Sequence, residues 1–220
     1  MVPAASVGYS GTETQPASQI AKSLISQCAV FFEISATLSP GFRPRPIRCA
    51  AMRRLWSITS RHFFEGPEEN RALFARLIGV DPDSVALIPA VSYGLAIAAN
   101  NLAPAEGQTI VVLEDQFPSN VYAWKSLAER TGAAIETVPR PADGDWTSVV
   151  LGAIDDRTAV AALPHCHWTD GTLVDLERVG ARCRERGAAL VVDGTQSLGA
   201  MPFSIDAIQP DFLVVTAHKW

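Results

Sequence analysis

The sequence is short of charge, of cysteine and of long apolar runs, and each shortage excludes something. Asp, Glu, Lys and Arg make up 19% of its 220 residues, and 18 basic against 23 acidic residues give a net charge of −5. A mildly acidic chain lacks the electrostatic footprint of a nucleic-acid binder. The 4 cysteines, at positions 28, 49, 166 and 183, form no C-x-x-C pair. That spacing speaks against a disulfide scaffold or a zinc ribbon and suits a reducing, cytoplasmic compartment. No run of about 18 apolar residues occurs, so no membrane span is expected. The first residues carry no basic flank followed by an apolar stretch, and no Arg precedes Arg43. Neither a secretory signal nor a transit peptide is expected. Walker A, G-x-G-x-x-G and G-x-S-x-G are also missing, which disfavours a P-loop NTPase, an ordinary dinucleotide fold and an α/β-hydrolase.

What is present is apolar material, 48% of the chain, enough to fill a real core. Residues 1–40 have weak periodicity and stay unassigned. Ser39 to Pro46 reads as a linker, because Pro40, Pro44 and Pro46 block a helix or a central strand. From Ile47 the pattern turns helical, with Ile47, Ala51, Leu55 and Ile58 on one face and Arg48, Arg53, Arg54 and Arg61 on a solvated one. A second helix is signalled by Pro67 at its first position, Glu68 and Glu69 in its first turn, and Gly79 at its C-terminal cap. Short runs rich in Val, Ile and Leu then follow at Val85–Ile88, Thr109–Leu113, Ala134–Val138, Thr158–Leu163, Ala189–Val192 and Phe212–Val215, and read as buried strands. Amphipathic stretches lie between them: Val121, Trp124 and Leu127 before Gly132, and Leu176, Val179 and Cys183 before Gly187. This alternation predicts an α/β domain with a mostly parallel sheet flanked by helices.

In open α/β sheets, ligands bind outside the carboxyl ends of the strands. After the first run, Val91-Ser92-Tyr93-Gly94 opens a helix whose N–H groups and Ser92 hydroxyl could hold an anion, or form an ordinary helix start. After the second run comes Phe117, either core or a stacking platform for a flat ring. After the fourth come His165 and His167, whose i, i+2 spacing could seed a metal site, although no third ligand is evident. The fifth run ends in Asp193 and the sixth is followed by Lys219. An acid or an amine beside a buried strand end is costly without a partner. The two together, on successive strands, suggest a cofactor with a cationic ring nitrogen and a carbonyl, which describes pyridoxal phosphate.

Asp193-Gly194-Thr195-Gln196-Ser197-Leu198-Gly199, then Asp206, Asp211-Phe212 and Thr216-Ala217-His218-Lys219, resembles the signature of the class V aminotransferases. These are fold-type I pyridoxal-phosphate enzymes that include cysteine desulfurases, kynureninases and isopenicillin N epimerase-like enzymes. The resemblance implies that residues 41–220 are part of a pyridoxal-phosphate-binding large domain. It implies an amino acid as substrate, a Lys219 aldimine, and epimerase-like or lyase-like chemistry. It implies Asp193 on the pyridine nitrogen, Gln196 on the ring's phenolic oxygen, and Val91 and Ser92 on the phosphate with Thr216 and His218. Phe117 would stack on the ring, with His167, Trp168 and Thr169 near its oxygen edge. It implies a homodimer for the full-length family. Phe117 stands where desulfurases place a His, and Trp168 where they often place an Asn. The sequence ends one residue after Lys219, whereas family members continue with further strands and a small domain. Those carry the arginine expected on the substrate carboxylate, and without them the β-strand before Lys219 is expected to have an uncovered edge. The alternatives are an inactive fragment that only binds cofactor or associates with other chains, and a metal-binding α/β protein using His165 and His167.

Overall fold

A computed structural model describes residues 29–33, 62–217 and 219. Seven strands form one sheet: β1 (Ala29–Glu33), β2 (Val85–Ile88), β3 (Thr109–Leu113), β4 (Ala134–Val138), β5 (Thr158–Pro164), β6 (Ala189–Asp193) and β7 (Phe212–Thr216). Their order is β2-β1-β7-β6-β5-β3-β4, and every pair is parallel. Each apolar run of the sequence is a strand. β5, β6 and β7 extend one residue further than the apolar pattern, to Pro164, Asp193 and Thr216.

The helices are α1 (His62–Ile78), α2 (Val91–Asn101), α3 (Ser119–Thr131), α4 (Trp146–Ala153), α5 (Leu176–Arg186) and the single turn α6 (Ile205–Ile208). Alternate strand residues face opposite sides of a sheet, and two cores result. Ile110, Val112, Val160, Ala162, Val191 and Val214 pack with Leu95, Ala98, Trp124 and Leu127 of α2 and α3. Val111, Leu113, Ala161, Leu163, Val192 and Val215 pack with Phe74, Trp146, Val150, Val179 and Ile208 from the helices of the other face. β3 and β7 are buried along their whole length. Gly132 and Gly187 end α3 and α5 with φ of 74° and 69°, the left-handed conformation that a side chain disfavours. Among the described residues no helix is long and apolar enough to cross a membrane.

Three expectations are corrected. Pro67 does not start α1 but lies inside it, five residues after His62. Gly66 ahead of it has no Cβ to meet the proline ring, which eases the helical conformation there. The segment left unassigned contributes β1, which pairs β7 on one side and β2 on the other. The edge of β7 expected to be bare is therefore covered. Helices α4 and α6 were not anticipated, although Asp145 and Ser204 cap them by accepting the Ser148 and Ala207 N–H groups. The linker at 39–46 and the helix expected from Ile47 lie outside the described residues.

β1 is the only link between β2 and the rest of the sheet among the described residues. A strand paired on both sides has its N–H groups committed, and proline removes one. Phe31→Pro is expected to cost about 3 kcal/mol, read as a lower urea midpoint with the circular dichroism of the folded state reduced.

Candidate active site

Because all seven strands run the same way, the connections that leave their carboxyl ends meet along one rim. A hollow of about 150 Å³ lies there, lined by Val91, Gln116, Phe117, Ser119, Pro164, Cys166, Trp168, Asp193, Thr195, Gln196, Thr216 and Lys219. Val91 opens α2, and no side chain caps that helix, since its N-cap is Ala90. The N–H end of an 11-residue helix thus sits at the rim, the arrangement that favours an anion.

Asp193 is the last residue of β6 and is 7% exposed. Burial pushes its pKa up, while contacts with Thr195 and the charge of Lys219 act the other way. Its Oδ1 accepts the Thr195 N–H at 3.0 Å. Among the described residues it belongs to no ion pair, so a charged-form partner has a place to bind. The turn after it is held against β7, because the Gly194 N–H donates to Val214 O at 2.9 Å. A Cβ on Gly194 would lie 2.8 Å from Val215 Cγ1 and 3.1 Å from Leu213 Cδ1. Glycine is required there by space, not by dihedral angle.

Part of the lining is aromatic. Phe117 and Trp168 meet edge to face, 5.4 Å between centroids at 88°, and both remain about half exposed. Gln116 fixes the Phe117 loop from below. Its Oε1 accepts the Leu113 N–H, and its Nε2 donates to Asn120 O and Ala162 O. The Trp168 indole N–H donates to Asp115 O at 2.6 Å, and Asp115 takes a φ of 54° to make the corner. Beside them His167 is fully buried and stacked on Trp146, 5.2 Å between centroids. Its Nε2 faces Glu114 O at 3.1 Å and so carries the proton, leaving Nδ1 to the Thr169 hydroxyl at 2.9 Å. Arg140 closes this cluster with a hydrogen bond to Thr169 Oγ1 and an ion pair to Asp170. Hydrogen bonds from Thr172, with Arg140 adding to them, hold the Asp170 carboxyl down at about 2.

The structure therefore brings Val91, Phe117, Asp193, Gln196, Thr216 and Lys219 to one hollow. Ser92 is exposed one residue beyond Val91. Thr169 is turned to His167 and Arg140 instead of the hollow. His218 lies outside the described residues. His165 and His167 serve different partners, Ser197 and Glu114. Among the described residues no group of three His, Cys, Asp or Glu side chains is placed to hold a metal ion. Gln116, Cys166, Ser119 and Thr195 line the hollow without having been singled out. For Gln116 the signal was present, as a polar residue three positions beyond an apolar strand, on the way into a helix.

Comparison with known proteins agrees with this architecture. The model of the class V aminotransferases matches residues 49–220. An uncharacterized aminotransferase of Bacillus subtilis, YcbU, is 29% identical over 158 residues, 71% of this chain and 41% of its own. A cysteine desulfurase of Salmonella newport is 29% identical over 175 residues, 77% of this chain and 43% of its own. Among solved structures, the cystine C–S lyase C-DES in complex with cysteine persulfide superimposes with a TM-score of 0.68 at 24% identity, over 79% of this chain and 48% of that one. The cysteine desulfurase of Thermococcus onnurineus gives 0.66 at 22% identity, over 90% and 53%. The chain thus spans about half the length of these relatives, or less. Enzymes of this kind use pyridoxal phosphate. By the match across most of its length, the chain belongs to the class V aminotransferase family, with the parallel-sheet fold of the fold-type I enzymes.

Proposed function

We propose that residues 41–220 form the cofactor-binding part of a pyridoxal-phosphate-dependent enzyme that acts on an amino acid. The observation that carries this reading is the buried Asp193 carboxylate facing the same hollow as Lys219. A second supports the fit: the turn from Asp193 to Gln196 lies close against β7, where a Cβ on Gly194 would meet Val215 and Leu213.

When bound, the cofactor supplies a ring that withdraws electrons from the substrate α-carbon. Asp193 would hold the proton on the ring nitrogen with a charge-assisted hydrogen bond. Gln196 would hydrogen-bond the ring oxygen. The N-terminal turn of α2, at Val91 and Ser92, would bind the phosphate, a role to which Thr216 and His218 would add. Phe117 would stack on the ring. Lys219 would hold the cofactor, and its amine, set free when the substrate's amine takes its place, would move a proton at the substrate α-carbon. Removal of that proton is the step shared by lyase-like and epimerase-like outcomes, the two favoured here. The relatives matched suggest sulfur amino acids as the first substrates to assay.

The test is reductive trapping. Protein mixed with pyridoxal phosphate and then borohydride is expected to carry the phosphopyridoxyl group on Lys219, located by peptide mass. Lys219→Ala should abolish the adduct and Asp193→Asn should lower its yield at least about tenfold. An adduct spread over surface lysines, unchanged in Asp193→Asn, overturns the reading. Trapping at Lys219 without α-proton exchange in any amino acid would mark a chain that binds cofactor and does not turn over.

A second expectation follows from the buried acid. With its pKa raised by burial, the ionised Asp193 penalises the cofactor-free fold at neutral pH. As pH falls the folded state takes up this proton before the unfolded state does, so stability rises. Asp193→Asn should therefore stabilise the cofactor-free protein by about 1 kcal/mol at pH 7, with a smaller gap to wild type at a more acidic pH. Urea unfolding at the two pH values reads the difference.

A further inference from the structure

We propose that His165 is a positioning residue that clamps the Asp193–Ser197 turn onto β5 and so fixes the groups offered to the cofactor's nitrogen and ring oxygen. This deepens the reading above and rests on it. His165 does not line the hollow; it lies in a separate cleft with Asp175, Phe203 and Ser204. From there it grips the turn at both ends. Its backbone N–H donates to Asp193 O at 3.2 Å, and its Nδ1 lies 2.9 Å from Ser197 Oγ. Between those two anchors stand Thr195 and Gln196, which line the hollow.

Ser197 is 1% exposed, so water cannot replace the imidazole, and losing that partner strands a buried hydroxyl. The backbone makes Ser197 a junction as well. Its N–H donates to Gly194 O, and its carbonyl accepts from Ala200 and Met201. The imidazole is itself seated: its ring meets Phe203 edge to face at 5.6 Å, and the His165 carbonyl accepts the Val174 N–H at 3.0 Å. Burial lowers its pKa against the opposing charge of Asp175, which keeps the ring neutral at pH 7. The turn is thus held from β7 by Gly194 and from β5 by His165. Only the second hold uses a side chain that can be cut without touching the cofactor.

The test compares His165→Phe, which keeps a ring against Phe203, with His165→Asn, which restores a polar atom near Nδ1, and with Ser197→Ala and the His165→Phe/Ser197→Ala double variant. In the cofactor-free protein, amide exchange at Gly194, Thr195, Ser197 and Leu198 is expected to quicken at least about tenfold in His165→Phe and in Ser197→Ala. His165→Asn should return to within about threefold of wild type, and Leu213–Val215 of β7 should be unchanged in all. With pyridoxal phosphate, His165→Phe and Ser197→Ala are each expected to lose about tenfold in affinity, His165→Asn to stay within about threefold of wild type, and the double variant to lose no more than either single loss. Unchanged exchange, failure of His165→Asn to rescue, or losses that multiply to about a hundredfold in the double variant would overturn the clamp. If the wild type takes up no cofactor, the proposed function fails, and the exchange rates alone decide the clamp.

Discussion

Asp193 is the constraint around which the rim is built. A strand of Ala189, Leu190, Val191 and Val192 runs through the middle of a sheet covered on both faces, and it ends in a carboxylate. Burying that charge is unfavourable by several kcal/mol unless something compensates. The chain supplies partial compensation, with the Thr195 N–H at 3.0 Å and the positive charge of Lys219. What remains uncompensated is the capacity to bind a cationic group. Stability and function pull in opposite directions at this residue, as is usual for a site prepared before its ligand arrives.

The parallel arrangement explains why one acid suffices to organise so many residues. Parallel strands deliver their carboxyl ends to the same edge, so segments distant in sequence meet without long loops. Val91, Gln116, Cys166, Asp193 and Lys219 follow five different strands and line one hollow. The rigidity of that edge comes from the cores below it, where Leu95, Trp124 and Trp146 have no exposed surface. Functional loops on a close-packed scaffold can be placed finely, because the scaffold does not yield.

The strands and their rim were readable in the sequence because both signals are local. Runs such as Thr109–Leu113 are apolar on both faces, as a buried parallel strand requires, and Asp193 and Lys219 stand out at once after such runs. Gly132 and Gly187 marked the ends of two amphipathic stretches, and the structure makes each a left-handed helix cap. What escaped depends on contacts between distant segments. β1 carries a short apolar run, but its partners Val85–Ile88 and Phe212–Thr216 come much later in the chain. Spacing alone suggested that His165 and His167 could share a ligand, whereas the tertiary structure gives each ring its own partner. Arg140 sits in an unremarkable loop, and only folding brings Asp170, Thr169 and the face of Trp146 around it. Pro67 was misjudged because a proline that suits the first turn of a helix is also tolerated slightly deeper when a glycine precedes it.

The lining of the hollow has two parts that differ in burial. The wall formed by Asp193, Thr216 and Pro164 belongs to strands β5 to β7, and all three residues are buried. The aromatic part of the lining is Phe117 and Trp168, each about half exposed and each carried on a loop. Those loops are tethered by hydrogen bonds, those of Gln116 buried: Trp168 to Asp115, Gln116 to β3 and β5, Glu114 to His167. The strand wall cannot move without disturbing both cores.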